Sequence, residues 1–164
     1  GQYDAAECPN ERILTLEELL AIVPDEKGLS LELKDPALAE PENARQLVSA
    51  VRGRIVAQTV MLLSFHTPLL RAAQRADPRV WIGKIALFNP LPIFRGDGIG
   101  TTWPAIKVNP LYTWIARLQG LWVCPLDPTP EARLPWYLKL GVDAVLTDDP
   151  ARTRKALGAH QAAR

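Results

Sequence analysis

The chain has 164 residues and carries nineteen basic against eighteen acidic side chains, for a formal net charge of +1. So even a balance leaves no polycationic footprint for nucleic acid or an anionic membrane. No apolar run approaches the roughly 20 residues of a membrane span, so an integral membrane segment is excluded as well. The length suits one domain. Cys8 and Cys124 are widely separated and lack metal-ligand spacing, so they read as two free thiols that leave the compartment open. The chain opens on Gly1 rather than methionine, which suits a cleaved, tagged or truncated product better than a complete gene product.

In chain order, Thr15-Leu16-Glu17-Glu18 fits a capping box and predicts a helix to about Val23. Leu29-Ser30-Leu31-Glu32-Leu33-Lys34 follows as a short strand, and Pro41-Glu42 opens a second helix toward Arg54. Thr59 to Ser64 is an apolar run of strand length, and Thr67-Pro68 starts a helix to about Ala76. The same pairing recurs at Asn109-Pro110, Thr129-Pro130 and Asp149-Pro150, where a small polar residue suits the N-cap and proline the first helical position. Gly120, Gly141 and Gly158 stand where helices are expected to end in the left-handed conformation. Between these helices, Val80–Leu87, Trp103–Val108, Leu121–Cys124 and Val142–Leu146 read as strands.

Short apolar strands alternating with helices indicate an α/β protein with a parallel sheet. The pattern amounts to about six β/α units, whereas an eight-stranded barrel takes roughly 250 residues. Two readings follow: an incomplete TIM-type β/α barrel lacking its first two strands, or an open α/β sheet that never closes. If the first two strands are absent, the strands around Leu31 and Val145 each lose a neighbour, so self-association through unpaired edges is expected unless residues 1–12 fold across the gap.

The first strand is chemically the most informative. Residues i and i+2 share a face, which places Ser30, Glu32 and Lys34 on one side and Leu29, Leu31 and Leu33 against a helix layer. Charges among apolar neighbours are costly unless paired or bound; the pair is a rim ion pair or part of a site.

Taken together, Thr15-Leu16-Glu17-Glu18-Leu19-Leu20, the Leu29 to Lys34 segment, Leu63-Ser64-Phe65, and Gly141-Val142-Asp143-Ala144-Val145-Leu146-Thr147-Asp148-Asp149-Pro150 form an ordered set of landmarks. In order and spacing they resemble the glycerophosphodiester phosphodiesterase family over roughly residues 11 to 158. The resemblance divides the chain into an N-terminal segment (1–10), a partial catalytic domain (11–158) and a tail (159–164). It implies a TIM-barrel enzyme of lipid metabolism that hydrolyses glycerophosphodiesters to an alcohol and sn-glycerol 3-phosphate with Ca²⁺ or Mg²⁺. It further implies Glu32 as a metal ligand and Lys34 beside the substrate phosphate. Active sites of barrels lie at the C-terminal ends of their strands, where both residues are expected.

Members of that family carry an H-R-G motif, a Glu-x-Asp metal pair and a His-Asp ahead of the E-x-K strand, and none of these occurs here. The only histidines are His66 and His160. His160 falls in an alanine-rich tail, whereas His66 follows a strand at the barrel mouth and is the candidate for substrate contact. No residue is assigned as the general acid or base. The tryptophan-threonine pair common after the seventh strand is replaced by Cys124-Pro125-Leu126-Asp127, which alters the pocket wall; Asp127 reads chiefly as a solvated loop carboxylate. Gly96-Asp97-Gly98-Ile99-Gly100 lacks the strand and helix of a dinucleotide site and reads as an irregular loop. Such a loop can act as a lid, with Phe94 and Arg95 against substrate. Scattered tryptophans form no nucleic-acid stacking platform. The sequence thus points to a portion of a metal-dependent phosphodiesterase acting on a glycerophosphodiester, inactive in isolation; the alternative is a non-catalytic barrel remnant used for binding or assembly.

Overall fold

The structure is a computed structural model and describes residues 12–162; Cys8 and the N-terminal segment expected over 1–10 lie outside the described residues. Five parallel strands, β1 (Leu29–Glu32), β2 (Val60–Ser64), β3 (Trp81–Ala86), β4 (Gly98–Thr102) and β5 (Trp122–Leu126), pair in the order in which they occur in the sequence. They curl into a half-barrel. The register is sheared: Glu32 lies level with Leu63, then Gly83, Gly98 and finally Trp122, so the last residue of β1 is in line with the first of β5. That stagger is what closing a barrel requires.

Helices α1 (Leu16–Ile22), α2 (Pro41–Ala50), α3 (Arg52–Val56), α4 (Thr67–Ala76), α5 (Trp103–Val108), α6 (Tyr112–Leu118), α7 (Leu134–Leu140) and α8 (Pro150–Ala162) complete the described elements, with two short 3₁₀ turns. The expected capping box starts α1: Thr15 accepts from the Glu18 amide and the Glu18 carboxylate accepts from the Thr15 amide. Outward-facing Leu33, Leu62, Ile82, Ile99 and Val123 meet Val48, Leu70, Ile106 and Ala116 of the helices in one core. Leu29 and Leu31 pack against its margin, as their spacing predicts.

Several expectations are corrected. The segment expected as a loop from Gly96 to Gly100 is largely strand β4, paired on both sides, so there is no lid there, and Phe94 is buried in the core with the Arg71 guanidinium 5.4 Å over its ring. The reason is steric. A Cβ on Gly83 would stand 2.5 Å from Leu63 Cδ2, and one on Gly98 would stand 3.0 Å from Met61 Sδ. The lumen therefore accepts glycine on β3 and β4, and a strand whose inward positions are glycine shows no apolar alternation. Trp103–Val108 is helix α5 rather than a strand. Residues 142–146 form no regular strand, although Asp143 and Leu146 donate their amides to the Val123 and Pro125 carbonyls and so run beside β5. The long helix expected from Pro41 is broken at Val51 into α2 and α3. Of the polar-proline pairs only Asp149 caps, accepting from the Arg152 amide at 2.9 Å. Gly120 and Gly141 have the expected positive φ of 70° and 68°, whereas Gly158 lies within α8.

Candidate active site

The inward side chains of the half-barrel enclose a cavity of about 470 Å³. Its lining is mostly apolar, with Met61, Trp81 and Trp122 on the wall; the two indoles lie 5.8 Å apart between centroids. The Cys124 thiol faces the same space, and burial pushes its pKa up to about 11, which leaves it protonated and unreactive near neutrality. At the C-terminal rim the wall becomes polar. Glu32, ending β1, lines the cavity, and its carboxylate lies 3.5 Å from the Lys34 ammonium.

That ion pair is open. The Glu32 side chain is 35% exposed and that of Lys34 77%, and neither makes a further hydrogen bond among the described residues. An exposed pair of this kind contributes little to stability, so both groups remain available to a ligand. The strand end beneath them is held firmly. The Leu33 amide donates to the Leu63 carbonyl at 2.7 Å, and the fully buried Ser64 hydroxyl donates to the Leu33 carbonyl at 2.7 Å. Ser64 Oγ also accepts from the His66 amide at 3.0 Å, tying β1 to the start of α4. His66 is exposed at the N-cap of α4, with no cap bond from its side chain. The rim thus brings Glu32 and Lys34 together and leaves His66 on the adjoining turn. Sequence reasoning missed Ser64 as the fastener between them; a lone serine at a strand end carries no distinctive pattern.

Asp127, read as a solvated loop carboxylate, is 1% exposed. Arg133 grips it through Nε and Nη2, each at 2.6 Å, and the Tyr137 hydroxyl donates to it at 2.7 Å. Burial pushes the Asp127 pKa up, but these hydrogen bonds outweigh burial and hold it below the ordinary value. The Arg133 guanidinium also lies 4.9 Å over the Trp103 ring. Every acceptor position of this carboxylate is in use; it fastens α7 to the end of β5. Arg54, also missed, is similarly buried and donates to the Pro24 and Lys27 carbonyls at 3.1 Å, pinning the turn before β1.

The residues do not by themselves make a metal centre. Among the described residues no three His, Cys, Asp or Glu side chains gather as a metal-binding group. A hard dication takes six or more oxygen ligands, and the single carboxylate of Glu32 falls well short.

Parallel strands, sheared register and a charged C-terminal rim define the wall of a β/α barrel opened along one side. Over 148 residues the chain is 24% identical to the glycerophosphodiester phosphodiesterase of Caldanaerobacter subterraneus subsp. tengcongensis, covering 85% of this chain and 60% of that protein. It therefore spans about 60% of the length of the curated relative it matches. A glycerophosphodiester phosphodiesterase from Parabacteroides distasonis shares the fold at a TM-score of 0.66 and 18% identity, covering 80% of this chain and 57% of that one. An Oleispira antarctica phosphodiesterase, solved with the product sn-glycerol-3-phosphate, does so at 0.63 and 20% identity, with 80% and 55% covered. No family model matches the chain. The resemblance to glycerophosphodiester phosphodiesterases read from the sequence landmarks holds across most of the chain.

Proposed function

We propose that the chain is the greater part of a metal-dependent hydrolase of glycerophosphodiesters, one that releases sn-glycerol 3-phosphate and an alcohol, and that it is inactive without further strands. The observation that carries this reading is the open Glu32–Lys34 pair on the lumen rim, 3.5 Å apart and without other partners among the described residues. The curated relative's activity and the product held by the Oleispira antarctica enzyme supply the substrate class. Five strands with residues 142–146 as an irregular sixth amount to about six units, and two more would reach the eight of a barrel.

In this reading Glu32 is the one ligand the chain offers to Ca²⁺ or Mg²⁺, the other ligands coming from outside the described residues. Lys34 places a cation beside the phosphate, where fixed positive charge stabilises developing negative charge. His66 contacts substrate from the turn after β2. Ser64 acts on none of these atoms directly and positions the Leu33 backbone on which the pair is carried.

Release of glycerol 3-phosphate from glycerophosphocholine, with Ca²⁺ or Mg²⁺ supplied, tests the proposal. The purified chain should give no turnover above background. Calcium should bind in the millimolar range of a poorly furnished site, and Glu32→Gln should abolish that binding without unfolding the chain. Robust turnover by the chain alone would overturn its inactivity and force His66 into acid–base work. Calcium binding unchanged in Glu32→Gln would return the pair to a structural ion pair.

A further inference from the structure

Helix α6 is apolar on both sides. Tyr112 and Ala116 are buried inward, whereas Leu111, Trp114 and Leu118 point outward and are each more than half exposed. A surface helix normally keeps its apolar side chains on the core-facing stripe, so apolar side chains on the outer face as well need an explanation. The neighbouring segment repeats the pattern. The β3–β4 connection has no helix, and along it Pro92 and Phe94 are buried while Leu91 and Ile93 between them face solvent. The two surfaces are joined. Asn109 Nδ2 donates to the Pro90 carbonyl at 2.9 Å and Gln119 Nε2 to the Pro92 carbonyl at 2.6 Å. Five outward apolar side chains thus stand together on the outer wall, away from the lumen. Scattered surface hydrophobes need no explanation, but a joined set marks an interaction site.

Charge decides the kind of partner. Between Asp77 and Asp127 the only carboxylate is Asp97, and its Oδ2 is taken up by the Ile82 amide at 2.8 Å. Arg95 and Lys107, next to Ile93 and Val108, are exposed. The near-neutral composition conceals this segregation of sign. A wall with leucine and isoleucine, one tryptophan, and two cations that form no ion pair among the described residues has the make-up of an interfacial lipid contact. We infer that this outer wall, formed by residues 91–95 and α6, docks the protein onto an anionic lipid surface. The inference does not depend on the catalytic reading.

Flotation of the full chain with phosphatidylcholine vesicles, with and without phosphatidylglycerol at about a third of the lipid, tests it. Binding should appear with phosphatidylglycerol and fall as salt rises. Lys107→Ala should weaken it about fivefold, the value of one cation near such a surface. Trp114→Ser with Leu118→Ser should weaken it tenfold or more, while circular dichroism remains unchanged because both side chains are exposed. Equal binding to neutral vesicles, or binding untouched by these variants, would overturn the inference. So would loss of binding on Trp122→Ala alone, which would move the contact into the lumen. A dimer in sedimentation that the Trp114/Leu118 variant abolishes, without vesicle binding by the parent chain, would assign the wall to a second copy instead.

Discussion

Two charged clusters stand near the C-terminal ends of the strands, and they are built on opposite terms. At the end of β1, Glu32 and Lys34 pair with each other at 3.5 Å, make no further hydrogen bond among the described residues, and face solvent and cavity. Beyond β5, Asp127 is sealed from water and held by Arg133, Tyr137 and the Thr129 amide. Burial with complete pairing makes a fastener. Exposure with incomplete pairing leaves groups free for a ligand.

The comparison breaks most visibly at Asp127. Asp127→Ala leaves the half-buried Arg133 without its partner and removes the acceptor for Tyr137, and should cost about 2–3 kcal/mol in urea denaturation, the scale of a lost hydrogen bond to a charged group. A loss below about 1 kcal/mol would remove the distinction between the clusters. Ser64→Ala should cost about 1–3 kcal/mol, the penalty for leaving a buried partner unsatisfied. Because Ser64 holds Leu33 and not the charges, its loss should lower calcium affinity in the same titration, whereas a merely structural serine would leave that affinity unchanged.

Acid sharpens the contrast further. Asp127 is held below its ordinary value, and Asp77 is held at about 2 by hydrogen bonds from the Arg79 side chain and backbone. A carboxyl with a lowered folded pKa stabilises the fold above its unfolded value, here near 3.8, and loses that contribution as pH falls through the folded one. Melting temperatures should therefore hold above about pH 5 and decline between about pH 4 and pH 2. Asp127→Asn should flatten the decline. The smallest effect belongs to the rim. Glu32→Gln and Lys34→Met should each change stability by no more than about 0.5 kcal/mol, as surface substitutions do; a larger loss would make the pair structural.

The sequence carried the features that side-chain pattern encodes and hid those that depend on space. The β1 alternation placed Glu32 on the lumen and Leu33 in the core, and the Thr15 capping box began α1 where its chemistry predicts. Strand β4 was hidden because Gly98 and Gly100 lie close against the Met61 and Leu126 side chains, a fact of packing across strands far apart in the chain. Trp103–Val108 has strand-like composition, yet Pro104 falls in the first turn of a helix, where a missing amide is tolerated. Asp127 looked solvated because its partners, Arg133 and Tyr137, become neighbours only once the chain turns into α7.

One property of the sheet extends to how the molecule comes apart. Strands adjacent in sequence are adjacent in space throughout, from β1 to β5, with no ladder joining the two ends among the described residues. Such a sheet is a linear array and not a ring, so each strand is held by its immediate neighbours, as in repeat proteins. Opening then begins at the margins, at β1 and at residues 142–146, and works inward. Amide exchange should run in a gradient, fastest at those margins and slowest in β3, and sealing the array with further strands should turn that gradient into a single cooperative transition.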